Sequence, residues 1–412
     1  MKRDLFGRLL GRFFGRLRDC LLGCLRNCLS LLSCLMLAAC ASLDPAPPQA
    51  LFADARFAPA SEPIGAADLF TLSPAMRAYL DSPAFQQRLR SKGSRHGLVD
   101  ALYSQSDLRL EYDSTNTRNA AQTYEARVGN CLSLVLMTAA FAKALDMPVH
   151  YQSVSMDHLW SRSNGLYLSS THINIGLGPN LGDVLRGSDP NQMLIVDFLP
   201  RDAAARLRSR TLDEEDVVAL YLNNRAAEAM LQDRLVDAYW WARAAVQTRP
   251  RLVAALNTLG VVYHRHGDLA PAESAFKAAL AQEPENLAVL RNMAPLLSAL
   301  GRSQEAQALA RKIAGIEPVP PYHYFDQGLA ALKAGRYERA VALFEREVKR
   351  APYNDEFRFW LGMAQLRQGN VDDARESMAL ALDHSTQREM RDLYAAKLAQ
   401  LRHQAPGQRR QR

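Results

Sequence analysis

Residues 255–284 read "ALNTLGVVYHRHGDLAPAESAFKAALAQEP". Apolar residues recur there at three- and four-residue spacing, with one break at Gly267 and an end at Pro284. That pattern predicts two helices joined by a turn. The landmarks return at a fixed interval: Pro250, Pro284, Pro318 and Pro352 are each 34 residues apart. Gly267, Gly301, Gly335 and Gly369 keep the same spacing, as do Ala238, Ala272, Ala306, Ala340 and Ala374. Three registers with one period predict a stack of equivalent helical pairs. The Ala lets the two helices approach, the Gly makes the turn within a pair, and the Pro ends the second helix. Five units follow, at 219–252, 253–286, 287–320, 321–354 and 355–388. The first carries Asp233 where the others have Gly, and the last carries Thr386 in place of Pro. End units of a stack are commonly atypical because they cap it.

In the clearest unit, Leu256, Leu259, Gly260, Tyr263, Gly267, Ala272, Phe276, Ala279 and Pro284 sit at the signature places of the tetratricopeptide repeat, which the unit resembles. The resemblance implies an all-α solenoid over residues 206–400, with a surface for a protein partner. A basic tail, 401–412, follows.

The 412-residue chain is long enough for two or more domains. Its net charge of +7 is concentrated at the front. Residues 1–40 hold seven basic residues, from Lys2 to Arg26, against Asp4 and Asp19, so only two of the seven net charges remain for the rest. A nucleic-acid footprint needs clustered charge on a folded domain, so no nucleic-acid partner is expected. The front then runs "CLSLLSCLMLAAC", residues 28–40, an apolar stretch short for a bilayer span and ending in small residues. Its end, Leu37-Ala38-Ala39-Cys40, resembles a bacterial lipobox, although the region before it is long and cysteine-rich. The resemblance implies a signal peptide over 1–39, cleavage before Cys40, and a diacylglycerol on its thiol. Ala41 is not the aspartate that retains such proteins at the inner membrane. The resemblance therefore implies the periplasmic face of the outer membrane. Ordinary secretory cleavage after Ala39 and a retained helix are the alternatives. Residues 40–65 are rich in Ala and Pro and predict an extended tether.

Of six cysteines, four lie in the expected leader and Cys40 is the lipid site, which leaves Cys131. A sole unpaired thiol in an oxidising compartment is a candidate nucleophile. The competing reading is a small buried hydrophobe. "RVGNCLSLVLMTAAFAKALDMPV", residues 127–149, sets Cys131 at the head of an apolar helix, where partial positive charge and free N–H groups favour a thiolate.

The periodicity then changes. Residues 149–156, 166–177 and 192–200 are short, rich in β-branched and aromatic residues, and bounded by Gly, Asn, Asp and Ser. Helices followed by strands predict an α+β domain over 66–205 with a small sheet. In the second strand His172 and Asn174 share a face. In the third, Asp197 is an ionisable group among apolar neighbours and needs a partner such as an imidazole N–H. "GLGPNLGD", residues 176–183, reads as a hairpin connection, since it lacks the Lys and helix of a phosphate loop. His150, His158, His264 and His266 read as ordinary surface or core histidines. No Cys/His spacing suggests zinc, and no cofactor is expected.

A nucleophile on a helix followed by His and Asp on later strands resembles the transglutaminase-like superfamily of papain-type folds. "VGNC", "THINI" and "VDFLP" carry the likeness over residues 66–200, with Asn130 where Asp is commoner. The resemblance implies Cys131 as nucleophile, His172 as general base and acid, and Asp197 as its orienter. It implies attack on an amide of a peptide or protein substrate through a thioester, completed by water or an amine. The Cys131 N–H is one expected oxyanion donor, and Gln122 and Tyr124 are candidates for the other. The alternative function is a non-catalytic scaffold that assembles envelope proteins through its repeats.

Overall fold

A computed structural model describes residues 48–103, 111–154, 160–163, 166–169, 172–198 and 209–404. The expected leader, Cys40, His158 and the last eight residues lie outside the described residues.

The helices α1 (Pro74–Leu80) and α2 (Pro83–Lys92) each start at a Ser-Pro pair. The serine hydroxyls of Ser73 and Ser82 accept the N–H groups of Met76 and Phe85, and proline supplies a preset first turn. After α3 (Ser94–Tyr103), the two-residue strands β1 (Glu111–Tyr112) and β2 (Val128–Gly129) pair in parallel around α4 (Ala120–Ala126). Helix α5 (Cys131–Ala144) is buried from residue 131 through 142, so it is the axis of the domain rather than an amphipathic flank.

Against α5 lies a four-stranded antiparallel sheet in the order β7-β6-β3-β8, built from β3 (Val149–Val154), β6 (His172–Leu177), β7 (Leu194–Val196) and β8 (Ser209–Leu212). The small antiparallel sheet of the α+β expectation is present, but its strands differ in extent. The described residues of 166–177 fall in two strands. β5 (Leu166–Ser169) pairs with β4 (Trp160–Ser163) in a separate ribbon, while β6 enters the main sheet with all six residues buried. The third expected strand shrinks to three residues, and Asp197 lies just beyond it. Residues 176–183 are not a simple hairpin connection. Asn180 accepts the N–H of Asp183 and starts a short helix, α6 (Leu181–Leu185).

Beyond β8 the chain is wholly helical through residue 404. Five antiparallel pairs follow: α7 (Glu214–Leu231) with α8 (Leu235–Thr248), α9 (Val253–His266) with α10 (Leu269–Gln282), α11 (Leu287–Ala299) with α12 (Ser303–Ile316), α13 (His323–Lys333) with α14 (Tyr337–Arg350), and α15 (Asp355–Gln368) with α16 (Val371–His384). A last helix, α17 (Arg388–Gln404), covers the stack with Tyr394, Leu398 and Leu401 buried. Residue 401 is thus core rather than the start of the basic tail. Gly260 shows why the repeat needs glycine, since a Cβ there would lie 2.6 Å from the Phe276 ring. The turn glycines adopt positive φ, and Asp233 takes φ 57° at the matching place in the first pair.

The array touches the α+β domain at separated points. The Thr117 N–H donates to Glu228 of α7 at 2.6 Å, β5 lies against α11, and the Ser114 N–H donates to the Thr386 carbonyl at 2.8 Å. One apolar core runs from the domain through the third pair. Among the described residues no helix is long and apolar enough to cross a membrane.

Candidate active site

Local chemistry fixes where Cys131 stands. Asn130 is the N-cap of α5: its side-chain oxygen accepts the Ser133 N–H at 2.9 Å, and its amide donates to Thr117 Oγ1 at 2.7 Å. An aspartate could accept the first bond but could not donate the second, which accounts for Asn at this place. Gly129 cannot carry a side chain, because a Cβ would lie 2.7 Å from Ser133 Cβ. "GNC" is therefore a steric and capping unit that presents Cys131 at the first position of the helix. Only 9% of Cys131 is exposed.

The strand β6 brings His172 to it. His172 Nε2 lies 2.7 Å from Asp197 Oδ1, and the His172 ring also hydrogen-bonds the Cys131 thiol. The three expected site residues are thus brought together. Burial by itself raises the Cys131 pKa. It is outweighed by the His172 hydrogen bond and charge, the Ile173 backbone N–H and the Tyr112 hydroxyl, so the thiol falls below its ordinary value. Burial likewise pulls His172 down, but the Asp197 and Cys131 contacts raise it to about 9. Both shifts favour a thiolate–imidazolium pair over a neutral thiol and imidazole.

Sequence reasoning does not reach Tyr112. Pairing of β1 with β2 sets Tyr112 opposite Gly129, two residues before the cysteine. Its hydroxyl accepts the Cys131 backbone N–H and contacts the thiol, and burial followed by the Cys131 charge drives its pKa well up. No periodic pattern in residues 109–114 announces this role, because a two-residue parallel pairing has no sequence signature. Gln122 is exposed and closes a capping box with Asn119, while Tyr124 is buried against Tyr79 and Phe141 beneath the Arg127 guanidinium. Of the other histidines, His150 is exposed, His264 is held below its ordinary pKa by burial, and His266 pairs with Asp268.

Comparison with known proteins bears on the array. Tetratricopeptide-repeat family models match residues 263–325 and 325–388. Similar solved structures include TTC0263, a thermophilic repeat protein of Thermus thermophilus, at 20% identity over 44% of this chain and 99% of that one, with a TM-score of 0.28. YrrB, described as a repeat protein with an unusual peptide-binding site, is 19% identical over 45% of this chain and 94% of its own, with a TM-score of 0.24. The pilF protein of Pseudomonas aeruginosa is 18% identical over 47% and 95%, with a TM-score of 0.26. No curated protein matches the chain. Residues 263–388 are tetratricopeptide repeats, a module suited to protein and peptide partners.

Proposed function

We propose that the chain is a partner-binding repeat protein whose α+β domain is a transglutaminase-like cysteine hydrolase or acyltransferase. The supporting observation is the line from Cys131 through His172 to Asp197 at the N-terminus of a buried helix. The Cys131 thiolate attacks an amide carbonyl carbon, forming the C–S bond while the carbonyl electron pair moves to oxygen. The Cys131 N–H and the helix end stabilise that oxyanion. Its collapse breaks the C–N bond, and the His172 imidazolium gives its proton to the departing amine. Water or a second amine, deprotonated by His172, then attacks the thioester and releases the thiolate. Asp197 holds the ring in place throughout.

Iodoacetamide alkylation of the full chain between pH 4 and 9, with Cys131→Ser and His172→Ala for comparison, tests the pair. The expected result is rapid labelling of Cys131 below neutral pH that slows in His172→Ala. An ordinary thiol curve that His172→Ala leaves unchanged overturns the enzyme reading.

A second reading is a non-catalytic scaffold acting through its repeats. Two observations favour it: family models match the repeats at residues 263–388, and Tyr112 hydrogen-bonds the Cys131 N–H that an oxyanion needs. On either reading we propose Cys40 as the lipid-bearing residue and the periplasmic face of the outer membrane as the location. Incorporation of labelled palmitate that survives Cys40→Ser would refute that anchor.

A further inference from the structure

Residues 51–62, expected as part of a free tether, are fastened along the first two helical pairs. Between residues 57 and 66 they form no helix or strand of their own, so the repeats hold their shape. The repeats read the backbone of this segment directly. The Ala53 N–H donates to both Tyr263 Oη at 2.9 Å and Tyr239 Oη at 3.1 Å, and Tyr263 Oη donates to the Leu51 carbonyl at 2.9 Å. Trp240 Nε1 donates to the Ala58 carbonyl at 2.7 Å, and the Ser61 N–H donates to Asp237 Oδ1 at 2.7 Å.

Side chains of the segment are read as well. The Phe57 ring stacks on Tyr239 with centroids 3.8 Å apart and planes 2° from parallel, and only 7% of Phe57 is exposed. Asp54 meets Arg243 Nε at 2.8 Å and the Tyr239 hydroxyl. Arg56 meets Asp268 at 2.6 Å. Glu62 accepts from Trp241 Nε1 at 2.8 Å and lies between Arg225 and Arg234. Two of the acceptors, Asp237 and Asp268, are themselves buried, at 2% and 8% exposure. Each also has a partner within the array, Arg234 for Asp237 and His266 for Asp268, and the segment, which has one short 3-10 turn at Asp54–Arg56, supplies their remaining hydrogen bonds.

We propose that α8 and the end of α9 form a peptide-binding site whose resident ligand is the chain's own residues 51–62. The site takes a peptide that turns between an acidic residue and a phenylalanine three positions later and carries a second acidic residue further on, and a partner protein bearing such a segment displaces the resident one. Backbone hydrogen bonds supply grip without regard to sequence, while the ring slot and the Arg243 and Arg225–Arg234 contacts supply selection. A tethered ligand competes at an effective concentration on the order of millimolar. The resident segment therefore sets a threshold that a partner must exceed. Cys131 takes no part, so this site stands or falls independently of the thiol chemistry.

The test uses a fluorescein-labelled peptide of residues 51–62, titrated against three full-length proteins by fluorescence anisotropy. These are the wild type, the segment variant Asp54→Ala/Phe57→Ala, and that variant with Tyr239→Phe/Arg243→Ala added. The segment variant is expected to bind the peptide at least about tenfold more tightly than the wild type, since its resident competitor is weakened. The added pair is expected to abolish the gain. Equal weak binding to wild type and segment variant, or a gain that survives the added pair, overturns the proposal. Should the segment variant not fold, amide hydrogen exchange on the wild type decides. Excess unlabelled peptide is expected to accelerate exchange at Ala53 and Ser61 while α8 stays protected, and no acceleration overturns the site.

Discussion

The repeat array and the α+β domain are held together over different distances along the chain. In the array, Gly260 of α9 meets Phe276 of α10 within one pair, and Gly328 meets Phe344 in the same way. In the domain, His172 meets Asp197 25 residues away and also contacts Cys131 from an earlier helix. Short-range contacts repeated at one period make stability nearly a sum over pairs. Long-range contacts converging on one thiol make a site that fails as a whole. Damage in the array should therefore lower stability without touching Cys131 chemistry, and damage at the triad should do the reverse.

The largest expected effect is that of Phe276→Ala. Its ring is fully buried, and the cavity should cost about 3–5 kcal/mol in chemical denaturation. Alkylation of Cys131 at neutral pH should stay unchanged, and a changed rate would break the separation of the two regions. Next comes Gly260→Val, which forces a side chain into the Phe276 ring and should cost about 1–3 kcal/mol. Gly328→Val, against Phe344 at 2.7 Å, should cost a similar amount. A large difference between the two would mean that the pairs are not equivalent.

The third effect belongs to the domain. His172→Ala should slow Cys131 alkylation near pH 6 by about tenfold or more, with little change in the unfolding midpoint of the array. The sign of the pH dependence follows from the two shifts. His172 has its folded pKa raised to about 9, so its contribution to stability is complete below the ordinary imidazole range and is lost as pH rises through about 9. Cys131 has its pKa lowered, so its contribution is present above the ordinary thiol range and is lost as pH falls through the lowered value. The pair therefore stabilises most between those limits. Between neutral pH and about 9 the two slopes oppose, because the folded and unfolded pairs each hold one proton, so wild type should keep the pair's contribution across that range while His172→Ala lacks it, as read by urea titration at several pH values.

Gly267→Ala ranks fourth. With φ at 92° and open space around it, the cost is conformational alone and should be about 1 kcal/mol. The smallest effect is expected for Arg375→Ala. Its partner Asp372 has a side chain 93% exposed, so the change should lie within about 0.5 kcal/mol.

The array was legible because its information is local. Leu259, Gly260, Gly267, Ala272 and Phe276 each serve the pair that contains them, so spacing along the chain maps onto distance in space. The triad was legible in part: Cys131, His172 and Asp197 were suggested by chain order, a helix start and an ionisable group among apolar neighbours. Tyr112 was not legible, because nothing in "LEYDS" shows that a parallel pairing with β2 will carry its hydroxyl to the Cys131 N–H. Residues 51–62 misled for a related reason. Their Ala- and Pro-rich composition gives no core of their own, and composition cannot show that Tyr239, Tyr263 and Trp240 await them 182 to 210 residues further on.

The sequence by itself determined the repeat, its period, its turn residues and the presence of a reactive-looking cysteine at a helix start. Each of these depends on contacts within a few turns of chain. Only the tertiary structure decided which groups surround Cys131, that the array closes on the α+β domain at Glu228 and Thr386, and that its first two pairs hold residues 51–62. Those outcomes depend on which distant surfaces meet, and a meeting is fixed by the burial and hydrogen bonding of the whole chain rather than by any one segment.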